Sequence, residues 1–125
     1  MSVLTQPPTM GDVLKYDLNP NFTRETVTLL TGTNYRVGAV LGRITASGKM
    51  KLSTATGSDG AQNAAAVLLY ATDATAADAM GIVVVRGPVI VSKAALVFDA
   101  SVDDAIKTSA KHAQLTALGI IPRDP

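Results

Sequence analysis

Two apolar runs constrain the fold more than any other feature of this chain. The first is Ala64-Ala65-Ala66-Val67-Leu68-Leu69-Tyr70. The second is Ile82-Val83-Val84-Val85, closed by Arg86-Gly87-Pro88 and resumed by Val89-Ile90-Val91. Both are strand-length, and the second is rich in β-branched residues, so they predict buried strands. Neither approaches the ~20 apolar residues that span a bilayer. Gly87-Pro88 predicts a bend, because proline has no N–H to give to a sheet interior.

Weaker strand signals precede the runs. Val13-Leu14-Lys15-Tyr16 predicts a short strand before an Asn19-Pro20-Asn21 turn. Thr26-Val27-Thr28-Leu29 alternates polar and apolar, as a half-buried strand does. Val37 to Ile44 is interrupted by Gly38 and Gly42, which points to bulges or close backbone approach in a barrel-like sheet. Ala46-Ser47-Gly48-Lys49 predicts a hairpin turn into Met50-Lys51-Leu52. Ser53 to Asn63 is a small-residue loop, and Val89 to Phe98 is expected to continue as strand.

One long helix is predicted near the C-terminus. Ser101 is its expected N-cap, with Asp104 three residues on, and Gly119 ends it as a C′ glycine. Val102, Ile106, Ala110, Ala113 and Ala117 form one apolar stripe at helical spacing. Lys107 and Lys111 are expected to reach solvent from its flanks. The fold class is therefore mainly β with a minor α component: a compact, barrel-like domain over residues 11–125. It carries one C-terminal helix and an extended N-terminal arm at residues 1–10.

Composition narrows the function. The chain has no cysteine, which removes disulfide frameworks, thiol catalysis and cysteine-bound zinc. Its net charge is +1, with eleven basic residues scattered from Lys15 to Arg123, so no dense basic face for nucleic acid is visible. Met1 to Met10 lacks a positive start and a long apolar stretch, so it does not read as a signal peptide. A soluble cytosolic product is expected, with no membrane partner.

Candidate chemistry is thin. His112, the single histidine, reads as a boundary residue of the helix. Gly57-Ser58-Asp59-Gly60 lacks the strand-turn-helix setting of a nucleophile elbow and the lysine of a phosphate loop, so it reads as a flexible surface loop. Asp73 and Asp78 lie in the connection between the runs and read as caps of a short helical turn. Lys51 falls past its hairpin turn, away from the place where a biotin carrier presents its lysine. No catalytic residue, cofactor site or metal site is expected.

Four passages carry a family resemblance. They are Gly11 to Tyr16 with Asn21 to Leu29, Gly38 to Thr45, Ala64 to Val91, and the helix ending Gln114-Leu115-Thr116-Ala117-Leu118-Gly119-Ile120. In this order they resemble the phage lambda-type head decoration proteins. The resemblance implies a capsid-stabilising structural protein of the virion, without enzymatic activity or cofactor. It implies a homotrimer on the outer surface of the expanded phage head, at three-fold and quasi-three-fold sites. There it ties the major capsid protein together against the pressure of packaged DNA. It also implies that the N-terminal arm pairs with capsid protein. By position that arm is Ser2, Val3, Leu4, Thr5, Gln6, Pro7, Pro8 and Thr9. Val3-Leu4-Thr5 suits strand addition to a sheet edge, and Pro7-Pro8 stiffens the exit. Two competing readings are another phage structural module, such as a fibre or tail adaptor, and a small enzyme.

Overall fold

The computed structural model describes residues 10–124. A helical turn α1 (Met10–Val13) leads into β1 (Leu14–Asp17), and a second turn α2 (Pro20–Thr23) leads into β2 (Arg24–Leu29). Then come β3 (Asn34–Tyr35), β4 (Val40–Arg43), β5 (Met50–Leu52), β6 (Ala64–Leu68), β7 (Thr72–Asp73), β8 (Ala79–Val84) and β9 (Val89–Ser92). A 3₁₀ turn at Lys93–Ala95, the helix α3 (Ala105–Ala117) and β10 (Ile120–Arg123) complete the order.

Five strands form a small ring in the order β2-β5-β4-β6-β8. Its longest seam is β2 against β8, antiparallel from Arg24↔Val84 to Leu29↔Ala79. Its closure is slight, a single parallel pair Leu29↔Met50. The other strands lie outside the ring. β9 pairs antiparallel with β1 and parallel with β10, while β3 and β7 form a short ribbon. The barrel-like character is thus partial.

The two apolar runs sit where burial is double-sided. Successive residues of a strand point to opposite faces. Leu68 and Val83 point into the ring, joining Val27, Leu29, Leu41 and Met50. Val67 and Val84 point outward into a second core with Val13, Val89, Val91, Leu115 and Ile120. A strand covered on both faces needs apolar residues at every position, which is why these runs do not alternate. Pairing of Val67↔Val84 and Leu68↔Val83 puts both cores in register across one seam.

Glycine lets two close approaches occur. At Gly42 a Cβ would collide with the Ala61 carbonyl, and the β4–β6 register shifts between Leu41 and Gly42. Both expected consequences of that glycine, irregularity and close approach, are present. Gly38 has φ +88°, and a Cβ there would strike the Ala95 carbonyl.

Several sequence expectations need correction. The strand expected to run from Val89 to Phe98 ends at Ser92. The chain turns at Lys93–Ala95 because Val97 must leave the outer sheet and bond the ring: Val97 N donates to Gly38 O and Val40 N to Val97 O, both at 2.9 Å. The helix begins at Ala105, not after Ser101. Its N-cap is Asp104, whose carboxylate accepts from Lys107 N at 2.8 Å. Ser101 instead accepts from Ala55 N and donates to Asp99. The helix is also rotated from its expected face. Ile106 is 83 % exposed and Ala110, Ala113 and Ala117 lie at the surface, whereas Lys111 and Leu115 are buried. Finally, the connection between the runs holds β7 rather than a helical turn.

Each core gives a test. Leu68→Ala opens the ring and Leu115→Ala opens the outer core, and each should cost about 2–5 kcal/mol. Chemical denaturation followed by circular dichroism should show both losses in one shared transition, because a single seam separates the cores.

Candidate interaction surface

The residues singled out for chemistry are dispersed into structural roles. Asp73 accepts from Thr75 N at 3.0 Å in a local turn. Asp78 accepts from Thr31 N at 2.8 Å and pairs with Lys49 at 2.6 Å. These hydrogen bonds hold both carboxyls below the ordinary aspartate value. Asp59 pairs with Lys51 at 2.7 Å and caps Ala61 N. His112 packs its ring on Phe98, with centroids 5.8 Å apart. Its Nε2 is buried without a hydrogen-bond partner among the described residues. Burial pushes its pKa below 6.5, the nearby Lys93 charge pushes the same way, and Asp124 opposes.

The most consequential polar residue is one expected in solvent. Lys111 is 2 % exposed. Its ammonium donates to Ser53 Oγ at 3.0 Å, Thr54 O at 2.6 Å and Gln62 O at 2.5 Å. These three acceptors satisfy its three donors, and Gln114 Oε1 lies at the longer distance of 3.5 Å. Ser53 in turn donates to Ala61 O at 2.7 Å, and Gln114 of the same helix accepts from Ala64 N at 2.7 Å. Burial still pushes the Lys111 pKa down, with the charge of Asp99 opposing. Loop 53–63, read from sequence as a flexible surface loop, is tied at both ends to α3. Helical periodicity alone gave no signal for this, since its acceptors are 49 to 58 residues away.

The described chain enters the fold at α1. Val13 is fully buried, and Met10 packs partly against the same core. Beside α1 lies a cleft of about 340 Å³, lined by Asp12, Arg36, Val37 and Ala94 to Val97. The turn that Gly38 permits against Ala95 forms one wall. The expected arm residues Ser2 to Thr9 lie outside the described residues.

The family model for the bacteriophage lambda head decoration protein D matches residues 3–120. The chain belongs to that family. The match covers all four passages that carried the resemblance, and the fold is mainly β with the C-terminal helix that the sequence predicted. Head decoration proteins are structural components of the phage capsid, so this one belongs to the virion and binds the phage head. No curated protein matches the chain. Among the described residues no helix is long and apolar enough to cross a membrane.

Two tests follow for this head decoration protein. Lys111→Ala strips the partner from the buried Ser53 hydroxyl and from the half-buried Thr54 and Gln62 carbonyls, and should cost about 3 kcal/mol in thermal or urea unfolding. The His112 sign is also defined. A folded-state pKa below 6.5 means the unfolded chain takes up the proton first. Stability is therefore complete above the ordinary histidine range and declines as pH falls through about 6.5 towards the lower folded value, by at most about 1.4 kcal/mol per pH unit. His112→Phe keeps the ring contact and should flatten that limb in a pH series of urea melts.

Proposed function

We propose that this protein is a homotrimer that decorates the outer surface of the expanded phage head at three-fold and quasi-three-fold sites. It is made in the host cytoplasm and bound there to the major capsid protein of assembled heads. Its work is mechanical: it ties neighbouring capsid subunits together against the pressure of packaged DNA. No cofactor and no catalytic step enter this reading. The observation that carries it is the family match over residues 3–120, which takes in Val3 to Thr9 as well as most of the described residues.

Residues Ser2 to Thr9 act as the capsid-binding arm. Val3, Leu4 and Thr5 add as a strand to an exposed sheet edge, where main-chain hydrogen bonds supply affinity. Three arms on one trimer give avidity, since one docked arm holds the others at high effective concentration. The exposed apolar line of α3 supports self-association: Ile106, Ala110, Ala113 and Ala117 face solvent in the single chain. Aligned apolar side chains on the outer sheet add to it, with Tyr16 beside Ile90 and Ile90 beside Ile121 in register.

Deletion of residues 2–9 tests the arm. Sedimentation velocity should show the same trimer as the full chain, while pull-down with undecorated expanded heads should lose most of the bound protein. Undiminished head binding by the truncated trimer would refute the arm mechanism.

A further inference from the structure

Two exposed apolar sites lie towards opposite ends of α3 and carry opposite charge. The first is built around α2 and the turn between β8 and β9. Leu18 and Phe22 are each more than half exposed. The Arg86 guanidinium lies over the Phe22 ring, 5.4 Å from its centroid, and also donates to the Phe22 carbonyl. Arg86 and Arg43 share one carboxylate, Glu25, at 3.5 and 3.7 Å. Two cations on one anion leave this site net positive. The second site is the outward face of α3. Ile106 is the most exposed large apolar residue among the described residues, and Ala110 continues its line. Asp103 and Asp104 flank it and share one cation, Lys107, at 2.8 and 3.9 Å. Two anions on one cation leave this site net negative. Gly87, next to Arg86, donates its N–H to the Leu118 carbonyl at 2.9 Å, which ties the first site to the C-terminal end of α3. Ile106 and Leu118 are twelve positions apart, about 18 Å along the helix, so the two sites of one chain do not meet.

We infer that these two sites meet between copies of this chain. Ile106 of one protomer seats against Leu18 and Phe22 of the next, with Asp103 set against Arg86. The inference rests on the trimer reading and supplies its contact. Two different patches make a head-to-tail contact, and three repeats of one rotation close it into a ring. Either site placed on its own copy would set like charge on like, which is costly, whereas each placed on the other sets positive against negative. Arginine and aromatic side chains are the residues on which most interface energy concentrates. Arg86 is already held by the Phe22 ring, the Phe22 carbonyl and Glu25, so it loses little freedom on docking.

The test is charge reversal and its rescue in the full-length chain, read by sedimentation velocity over a concentration series. Arg86→Glu sets Glu against Asp103, and Asp103→Arg sets Arg against Arg86. Each alone should raise the concentration at which the trimer dissociates by about tenfold or more. The combined variant restores opposite charges and should recover most of that loss. Ile106 is 83 % exposed, so Ile106→Lys tests the same face with no change in circular dichroism, and it should weaken the trimer by a similar factor, about tenfold. Parental association in Arg86→Glu, Asp103→Arg and Ile106→Lys alike would overturn the inference. So would a combined variant that associates no better than the weaker single one. An unaltered trimer of Ile106→Lys that loses binding to undecorated expanded heads would assign this face to the capsid, and that also overturns it. A parent that sediments as a monomer or a dimer would instead overturn the trimer reading.

Discussion

β6 and β8 are walls with a core on each side, and the rest of the structure is arranged around that fact. Leu68 and Val83 fill the ring, and Val67 and Val84 fill the space beneath the outer sheet and α3. Neither side can be removed without exposing the other face of the same strands. This couples a ring whose closure is one residue pair to a three-stranded sheet with which it shares no strand. Fully burying a Val or Leu contributes about 1.5–3 kcal/mol, so the shared seam outweighs any surface ion pair in the molecule.

The helix is placed by a polar constraint on top of that apolar one. Leu115 enters the outer core, and four residues earlier Lys111 meets its three oxygens. Residues four apart share a helix face, so both are satisfied by a single rotation of α3. That rotation turns Ile106 and the alanines outward. The buried ammonium thus settles which face of the helix is exposed in the single chain. The apolar stripe expected to pack on the core is left at the surface.

A decoration protein needs little chemistry and much surface. Asp73, Asp78 and His112 are each absorbed by a turn, an ion pair or a ring contact. What the fold leaves open is different in kind: an apolar helix face, and a largely apolar cleft beside α1 that is lined by Arg36 and Asp12.

Local sequence determined a good deal. The apolar runs specified buried strands, Gly42 specified a close approach, the Ser47-Gly48 turn specified its hairpin, and Gly119 ended the helix where its φ of +84° requires glycine. The ordered phrases specified the family. These signals are short-range, carried by residues within one strand, turn or helix end. Tertiary structure decided the rest. Asp104 displaced Ser101 as the cap because Ser101 was engaged by Ala55, 46 residues away. Lys111 went inside because its acceptors converged from a distant loop. The strand after Val89 broke because Val97 was needed by the ring. Each depends on partners far along the chain, and periodicity within one segment carries no information about where such partners will be.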